Sequence, residues 1–266
     1  MFAAIAATGL CATGSALGAG QQLCVGSPGT AVTTPGSGGT CAQGKTLVAL
    51  ATQSEVNTLQ SRVAALEAKL SKVTYSATGL NKKPTLKISG ANLQVVDGSG
   101  RTDGPSNGVG NVIIGYDEGP GTQTGSHNLV LGYHQTFNSW GGIIGGIYNT
   151  LAGPGSVVLV SHNNASGGTS SVTGGAYNLA DDFSSSVTGG CENVAGIGNA
   201  LSGSCSIAGV ESVSGGTLNY ARALGSSVSG GDLNTALGID SSILGGIGNV
   251  LSLKCATFPS SGQSCP

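Results

Sequence analysis

Charged side chains are scarce in this sequence: Lys, Arg, Asp and Glu make up 8% of its 266 residues, against about 25% in an ordinary soluble domain. Aromatic residues reach only 4%, and no apolar run approaches the roughly 20 residues that cross a bilayer as a helix. The mean hydropathy is nevertheless positive, at +0.18. These features exclude a highly charged disordered chain and a transmembrane helix.

Basic residues are missing where a nucleic-acid surface would need them. Eight of the ten Lys and Arg residues precede Asp103, and residues 111–250 contain one basic residue, Arg222, beside eight acidic ones. This stretch would repel a phosphate backbone, so the sequence predicts no nucleic-acid partner. Glycine, by contrast, is abundant, with 48 residues. It occurs in pairs such as Gly174-Gly175 rather than at every third position, which excludes collagen.

The seven cysteines and the N-terminus indicate export. Residues 1–19 are Ala/Gly-rich and end in small residues typical of a signal-peptide cleavage site, although a basic start is missing. Without Cys11, six cysteines remain, and they fall into the neighbouring pairs Cys24/Cys41, Cys191/Cys205 and Cys255/Cys265. We expect three disulfides and a secreted or cell-surface protein, the alternative being that some of these cysteines are free buried thiols.

A heptad pattern between Ala49 and Val73 predicts a coiled-coil stalk over residues 45–74. Apolar residues recur there in steps of three and four, with Val at a and Leu at d until the last turn. The positions are Val56, Leu59, Val63, Leu66, Leu70 and Val73, with Thr52 and Ala49 as a weaker extension. Gly and Pro are absent from Lys45 to Ala77.

The segment from Arg62 to Glu67 indicates how many helices associate. Arg62 falls at g and Glu67 at the following e, so the pair can bridge neighbouring helices, with Val63 and Leu66 between them. This order resembles the known trimer-specifying pattern of Arg, apolar, two free positions, apolar, Glu. We expect a homotrimer, and the alternative is a solvated pair on a helix packed within its own domain.

From Asn111 onward the chain repeats with a period of 14 to 15 residues. The first apolar residues of the units are Val112, Leu129, Ile143, Val157, Val172, Val187, Leu201, Val213, Val228 and Ile243. Such a period is too short for a pair of helices, so each unit is predicted to form one coil of a β-solenoid. The fold prediction is an all-β solenoid of about ten coils, preceded by a trimeric coiled-coil helix.

Stacking these coils predicts columns of like residues. One is an asparagine ladder, formed by Asn149, Asn163, Asn178, Asn193, Asn219, Asn234 and Asn249. Two positions later lies an inward column of mostly small residues, namely Leu151, Ala165, Ala180, Ala195, Ala221, Ala236 and Leu251. Cys191 and Cys205 each follow their anchor by four residues, which predicts a disulfide between adjacent coils.

A further column has an unusual aromatic content and supplies the candidate ligand-binding residues His134, Tyr148, His162 and Tyr177, followed by Glu192. Two interpretations stay open at this point. The rings contact a ligand, or they simply stack to hold the coils together.

The repeat units resemble the head repeats of trimeric autotransporter adhesins, the YadA-like heads, over about residues 110–250. The resemblance implies a left-handed parallel β-roll within a trimer, and the coiled coil is a second shared feature. In those adhesins the head precedes the stalk and a membrane anchor follows. Here the coiled coil comes first and no four-strand anchor is visible in the sequence.

The predicted organisation is a possible signal peptide (1–19), a disulfide-closed Gly/Pro-rich segment (20–44), the stalk (45–74), a β adapter (75–109), the β-roll head (110–252) and a disulfide-closed cap (253–266). The adapter is predicted to contain strands over Pro84–Ile88 and Ala91–Val96. The last pair of cysteines is expected to tie a loop that caps the final coil.

The expected function is that of an exported homotrimeric adhesin-like or structural fibre protein, with an extracellular matrix component or a glycan as ligand. One alternative is a carbohydrate-active solenoid, for which the candidates are Asp181-Asp182 and Asp117-Glu118. Another is an ice- or mineral-binding solenoid, although its threonine ladder is short, with Thr173 and Thr188 followed by Ser202, Ser214 and Ser229. No nucleophile elbow, phosphate loop or metal-ligand spacing is present, so neither catalysis nor a cofactor or metal is expected.

Overall fold

A computed structural model describes residues 21–197 and 210–259. It divides into two compact units, one up to Leu93 and the other from Gln94. The possible signal peptide, Leu201, Ser202, Cys205 and Cys265 lie outside the described residues. Within the described residues, no helix has the length and apolar character that a membrane span requires.

The N-terminal unit begins with an antiparallel strand pair. Strand β1 (Gln22–Val25) pairs with β2 (Thr46–Ala49), with Cys24 opposite Leu47. The predicted disulfide between Cys24 and Cys41 is confirmed, with a Cα–Cα distance of 5.4 Å. It closes the Gly/Pro-rich segment between the two strands.

Helix α1 (Gln53–Leu70) is shorter than the predicted 45–74. It starts at a capping box, in which the Thr52 hydroxyl accepts the Glu55 N–H (3.1 Å) and the Glu55 carboxylate accepts the Thr52 N–H (2.7 Å). The prediction failed at both ends because the flanking β-formers pair with other strands: Ala49 belongs to β2, and Val73 begins the next strand.

A second antiparallel pair follows the helix. Strand β3 (Val73–Ser76) pairs with β4 (Thr85–Ile88) around a 3-10 turn at Leu80–Lys82. The prediction of a strand over Ala91–Val96 was wrong, because Thr85–Ile88 finds its partner on the N-terminal side instead.

The C-terminal unit is an all-β parallel solenoid of about nine turns. Its strands are β5 (Val112–Ile114), β6 (Leu129–Tyr133), β7 (Thr136–Phe137), β8 (Ile143–Ile147), β9 (Thr150–Leu151), β10 (Val157–Val158), β11 (Asn164–Ala165), β12 (Ser171–Val172), β13 (Leu179–Ala180), β14 (Ser186–Val187), β15 (Val194–Ala195), β16 (Ser212–Val213), β17 (Tyr220–Ala221), β18 (Ser227–Val228), β19 (Thr235–Ala236), β20 (Ser242–Ile243), β21 (Val250–Leu251) and β22 (Thr257–Phe258). Strand β5 and the even-numbered strands form a ten-stranded sheet, and the odd-numbered strands from β7 form an eight-stranded one. The predicted solenoid class is confirmed.

The core is a thin layer between these two sheets. The ten-stranded sheet contributes buried Val130, Ile144, Val158, Val172, Val187, Val213, Val228 and Ile243. The opposite sheet contributes Phe137 and the predicted column of small residues, buried from Leu151 to Ala236, with Leu251 partly buried. Alanine on one side and a branched residue on the other allow two short strands to meet without a cavity.

The predicted register was wrong by one residue in the first four coils. Val157 pairs with Ser171, so the buried residue of that coil is Val158. Likewise Ile143 is 40% exposed, whereas Ile144 is completely buried. The later coils carry one additional residue between the buried valine and the ladder asparagine, at the glycine corner. An alignment on the first apolar residue of each unit therefore places the strands of the first four coils one residue too early.

The sequence predicts a coil at Leu201, which lies outside the described residues, but the coils on either side of it are adjacent in the sheet. Strand β14 pairs directly with β16. Asn193 and Asn219 are consecutive members of the ladder although they lie 26 positions apart, whereas Asn178 and Asn193 are separated by 15. Eleven residues are therefore inserted between these two coils.

The asparagine ladder is confirmed as a chain of buried hydrogen bonds. From Asn163 onward, each Asn backbone N–H donates to the Oδ1 of the Asn in the preceding coil, as in Asn178 to Asn163 (2.8 Å) and Asn193 to Asn178 (2.9 Å). The Asn178 amide also donates to the carbonyls of Gly174 (3.2 Å) and Gly190 (3.0 Å). Each ladder residue thus holds together a glycine corner in its own coil and one in the next.

Candidate functional site

A left-handed corner recurs just before each ladder residue. The residues there have φ between 52° and 67°: His134, Tyr148, His162, Tyr177, Glu192, Leu218, Leu233 and Gly248. Their backbone N–H groups bond to the preceding coil, as in Tyr148 to the Tyr133 carbonyl (3.1 Å) and His162 to the Ile147 carbonyl (3.0 Å). Because the backbone conformation repeats, side chains leave successive coils in the same direction.

The close packing of the coils at this corner also explains why a glycine lies two residues before it, as Gly175 does before Tyr177. A Cβ on Gly175, whose φ is 72°, would lie 2.0 Å from the Gly190 carbonyl oxygen of the next coil. Glycine therefore permits the close approach of the two coils, and the side chains at the following corner are held at the spacing of the coils.

The four predicted ligand-binding residues come together as a continuous column of rings, called here the aromatic stack (His134, Tyr148, His162 and Tyr177). The ring centroids of His134 and Tyr148 are 4.5 Å apart, those of Tyr148 and His162 4.8 Å, and those of His162 and Tyr177 4.7 Å. The interplanar angles are between 14° and 25°. The faces of the rings thus contact neighbouring rings, and the ring edges point outward.

Hydrogen bonds and a fifth ring support the aromatic stack. His134 Nδ1 bonds to the Gly119 carbonyl oxygen, and the Ser161 hydroxyl is 2.8 Å from His162 Nδ1. The Tyr133 ring packs edge-on against His134, with centroids 3.9 Å apart. Burial raises the pKa of the Tyr133 phenol above its ordinary value, and the neighbouring Tyr148 and Glu118 act in the same direction.

The stack lies at the surface and ends at Tyr177. Tyr148 is 45% exposed and Tyr177 57% exposed. One coil further, the corner residue is Glu192, whose N–H donates to the Ala176 carbonyl (3.1 Å). The arrangement is suited to contact through ring edges along the stack and through one ring face at the Tyr177 end.

The heptad positions form an apolar seam on α1, defined by Val56, Leu59, Val63, Leu66 and Leu70. No residue of α1 is buried, and Leu66 and Leu70 are 57% and 59% exposed. Arg62 and Glu67 lie on the same helix and are also exposed. Within the single chain, the predicted trimerisation residues are therefore solvent-accessible.

The carboxylates considered for carbohydrate chemistry have structural contacts. Asp117 is buried, and its carboxylate accepts the Gln135 N–H (2.8 Å). Asp182 is also buried and accepts the Ile197 N–H (2.9 Å), while Asp181 accepts the Ser166 hydroxyl (2.7 Å). Asp182 therefore supports the backbone where the eleven-residue insertion begins.

The hydroxyl residues of the short threonine ladder lie on the outer face of the ten-stranded sheet. Thr173, Thr188, Ser214 and Ser229 are exposed and occupy consecutive coils. Each follows a buried valine, so it points away from the core. Ser202 lies outside the described residues.

The cysteines follow the predicted pairing in part. Cys191 is a free, half-buried thiol. Its prediction as a rung-to-rung disulfide failed because its neighbour in the stack is Thr217 rather than Cys205, which lies outside the described residues. Cys255 is disulfide-bonded, and its predicted partner Cys265 also lies outside them.

Two structural features were missed in the sequence. The ladder extends N-terminally through Gln135 to Asp117, since the Asn149 N–H reaches Gln135 Oε1 (3.3 Å). The signal was available, because Gln135 also carries an amide and precedes Asn149 by one coil.

The second missed feature is the role of His127. His127 Nε2 accepts the Asp97 N–H (3.1 Å) and lies 3.5 Å from the Asp97 carboxylate. Hydrogen bonds from the Ser99 side chain and backbone lower the pKa of Asp97. His127 therefore anchors a loop, and a separation of 30 residues left no local signal.

No protein-family model matches the chain, and no curated protein is similar to it. Within residues 21–197 and 210–259, no three His, Cys, Asp or Glu side chains are grouped so as to hold a metal ion. The class defined by the fold is an all-β parallel solenoid with a separate helical unit. Its candidate site is a surface for contact built from stacked rings.

Proposed function

We propose that the protein is an exported homotrimer, adhesin-like or a structural fibre component, that presents a repetitive solenoid surface for attachment to a cell or matrix. The observation that carries the proposal is the exposed seam of α1. Helices in proteins gain most of their stability from the packing of an apolar face, and three copies would cover these apolar side chains. Adhesion is the use that a repetitive surface in three copies suggests.

The segment between Arg62 and Glu67 supports three copies rather than two. An Arg at g can lay its aliphatic stem along the seam while its guanidinium bonds to a Glu at e of the neighbouring helix. Apolar residues in the flanking strands are exposed as well, including Val48 (40%), Tyr75 (69%) and Leu86 (67%). Association of copies would also remove these side chains from water.

The solenoid surface supports attachment rather than turnover. Its outer faces repeat similar side chains coil after coil, and three copies would multiply a weak contact by avidity. We also propose, from the resemblance of the repeats, a YadA-like left-handed β-roll. A matrix component or a glycan remains the proposed ligand.

The test is the mass of the whole chain in solution, measured by light scattering. The expected wild-type value is three times the chain mass of 25.7 kDa. The variant Arg62→Ala with Glu67→Ala should dissociate at a higher protein concentration than the wild type. The matched control is Arg101→Ala with Asp103→Ala, which removes another exposed ion pair (3.0 Å) outside the seam.

A folded monomer, or an equal effect of both double variants, would refute the proposal. In the first case the seam would remain exposed in solution. In the second case, the loss of trimer would follow from removing charge and not from the position of the Arg62–Glu67 pair between neighbouring helices.

A further inference from the structure

The open end of the aromatic stack combines two features, an exposed ring face and a neighbouring carboxylate. Tyr177 is the last ring, and His162 covers one of its faces. Among the described residues no ring lies on its other face, and the corner one coil further carries Glu192. An aromatic face beside a carboxylate attracts a cation through the ring quadrupole and through charge.

Glu192 is positioned to take part. Its φ of 56° matches the 58° of Tyr177, so both side chains leave the backbone in the same direction from adjacent coils. Adjacent coils are about 4.8 Å apart. Glu192 is exposed. Within residues 21–197 and 210–259 its carboxylate accepts no hydrogen bond and has no Lys or Arg within 4.0 Å.

The charge of the solenoid favours the same kind of ligand. Residues 111–250 contain eight acidic residues and only Arg222 as a basic one. That arginine already occupies a related environment, since its guanidinium carbon lies 4.7 Å from the centroid of the Tyr220 ring. This distance equals the spacing of His162 and Tyr177 in the stack. A guanidinium can therefore pack on a tyrosine ring of this solenoid at the spacing of the stack.

We propose that the Tyr177 end of the aromatic stack binds an arginine side chain of a partner polypeptide. The guanidinium plane packs against the exposed outer face of Tyr177 beside the Glu192 side chain, which is the next member of the column, and its N–H groups donate to the Glu192 carboxylate. Arginine is preferred over lysine because its planar, weakly hydrated group stacks on rings and bonds to a carboxylate with two parallel N–H groups.

This inference deepens the proposed function and rests on it for its biological meaning, because it names the chemistry of the attached partner. A homotrimer would carry three such sites, so a partner with several arginines would gain by avidity. The binding of a single guanidinium does not depend on the trimer.

The experiment uses the whole chain and a fluorescein-labelled hexa-arginine peptide, with binding measured by fluorescence anisotropy at near-physiological salt. A labelled hexa-lysine peptide has the same charge and serves as the ligand control. We expect hexa-arginine to bind at least about threefold more tightly, because stacking contributes beyond charge.

Two variants remove the proposed contacts. Tyr177→Leu places at this corner the residue that Leu218 and Leu233 already provide with φ of 53° and 59°, so the backbone is compatible. Glu192→Gln keeps the size of the side chain. Each should weaken hexa-arginine binding about three- to tenfold, and each should reduce the preference over hexa-lysine.

Matched controls separate the site from general attraction. Asp240→Asn removes an exposed carboxylate from a different left-handed corner, and Tyr116→Leu removes a tyrosine that is 93% exposed. Both variants should change the affinity for hexa-arginine by less than about twofold. Circular dichroism of each variant confirms that the solenoid is folded.

Equal affinity for the two peptides, an effect of Asp240→Asn as large as that of Glu192→Gln, or no measurable binding would each overturn the inference. Light scattering on the same samples keeps it distinct from the proposed function. A monomer that binds hexa-arginine refutes the trimer and retains the site, and a trimer that does not bind refutes the site alone.

Discussion

The two units of the chain are stabilised in different ways. In residues 21–93 the one buried side chain is Cys24, which is part of a disulfide, and most apolar residues are exposed. In the solenoid, from Val130 to Ile243, a column of branched residues is closed against a column of mostly small ones. The solenoid therefore provides its own core, whereas the N-terminal unit depends on local devices and leaves most of its apolar side chains exposed.

The largest effect is expected in the solenoid, where Asn178→Leu should break the ladder. The leucine cannot accept the Asn193 N–H (2.9 Å) or donate to the Gly174 and Gly190 carbonyls. Buried groups that lose their partners cost about 1–3 kcal/mol each, so we expect the free energy of unfolding to fall by about 3–6 kcal/mol. Chemical denaturation followed by circular dichroism measures the change.

The control for this variant is Asn164→Leu. Asn164 is in the neighbouring coil on the outer side of its sheet, pairs with Leu179, and has a side-chain oxygen without a hydrogen bond. The substitution should be nearly neutral. If the two variants were equally destabilising, the ladder would not be the main source of the solenoid's stability, and the contrast between the units would weaken.

The next effect is expected in the N-terminal unit, on replacing both Cys24 and Cys41 by Ser. The disulfide spans 17 residues, and a loop of that size contributes about 3 kcal/mol by constraining the unfolded chain. Hydrogen exchange should accelerate in Gln22–Val25 and Thr46–Ala49, while the solenoid strands keep their protection. The free thiol Cys191 provides the control: Cys191→Ser should leave exchange in the N-terminal strands unchanged.

The same contrast explains which features could be predicted from the sequence. The sequence predicts the coil period, the asparagine ladder and the aromatic stack because each column takes one residue from every coil. Spacing alone therefore places Tyr148 between His134 and His162. The limits of α1 depend on pairing partners far away in the sequence. Val73 opposite Ile88 and Leu47 opposite Cys24 override a heptad pattern that continues through both ends.

The insertion after Asn193 escaped prediction for a related reason. Leu201 follows the apolar spacing of the repeat, and only the direct pairing of Ser186 with Ser212 shows that no rung lies between them. The open end of the stack escaped as well. The spacing puts Glu192 in the same column, but the exposed face of the Tyr177 ring beside it is visible only in the structure.

The smallest effect is expected from the capping box of α1, and it depends on pH. The Thr52 N–H, and then its hydroxyl, lower the pKa of Glu55. A carboxylate whose pKa is lowered by folding stabilises the helix at pH values above its unfolded-state pKa of about 4.3. This contribution is lost as the pH falls through the folded-state pKa. Helical circular dichroism at 222 nm should therefore decrease on acidification below about pH 4.3.

Glu55→Gln tests the origin of this loss, because glutamine can still accept the Thr52 N–H but does not titrate. The variant should retain more of its helical signal at low pH than the wild type. Asp103→Asn is the control, since Arg101 lowers the pKa of Asp103 outside the helix, and it should leave the acid-induced change as it is. If Glu55→Gln lost its signal in parallel with the wild type, the titration of Glu55 would not be the source of the loss, and the capping box would no longer count among the local devices that distinguish the N-terminal unit from the solenoid.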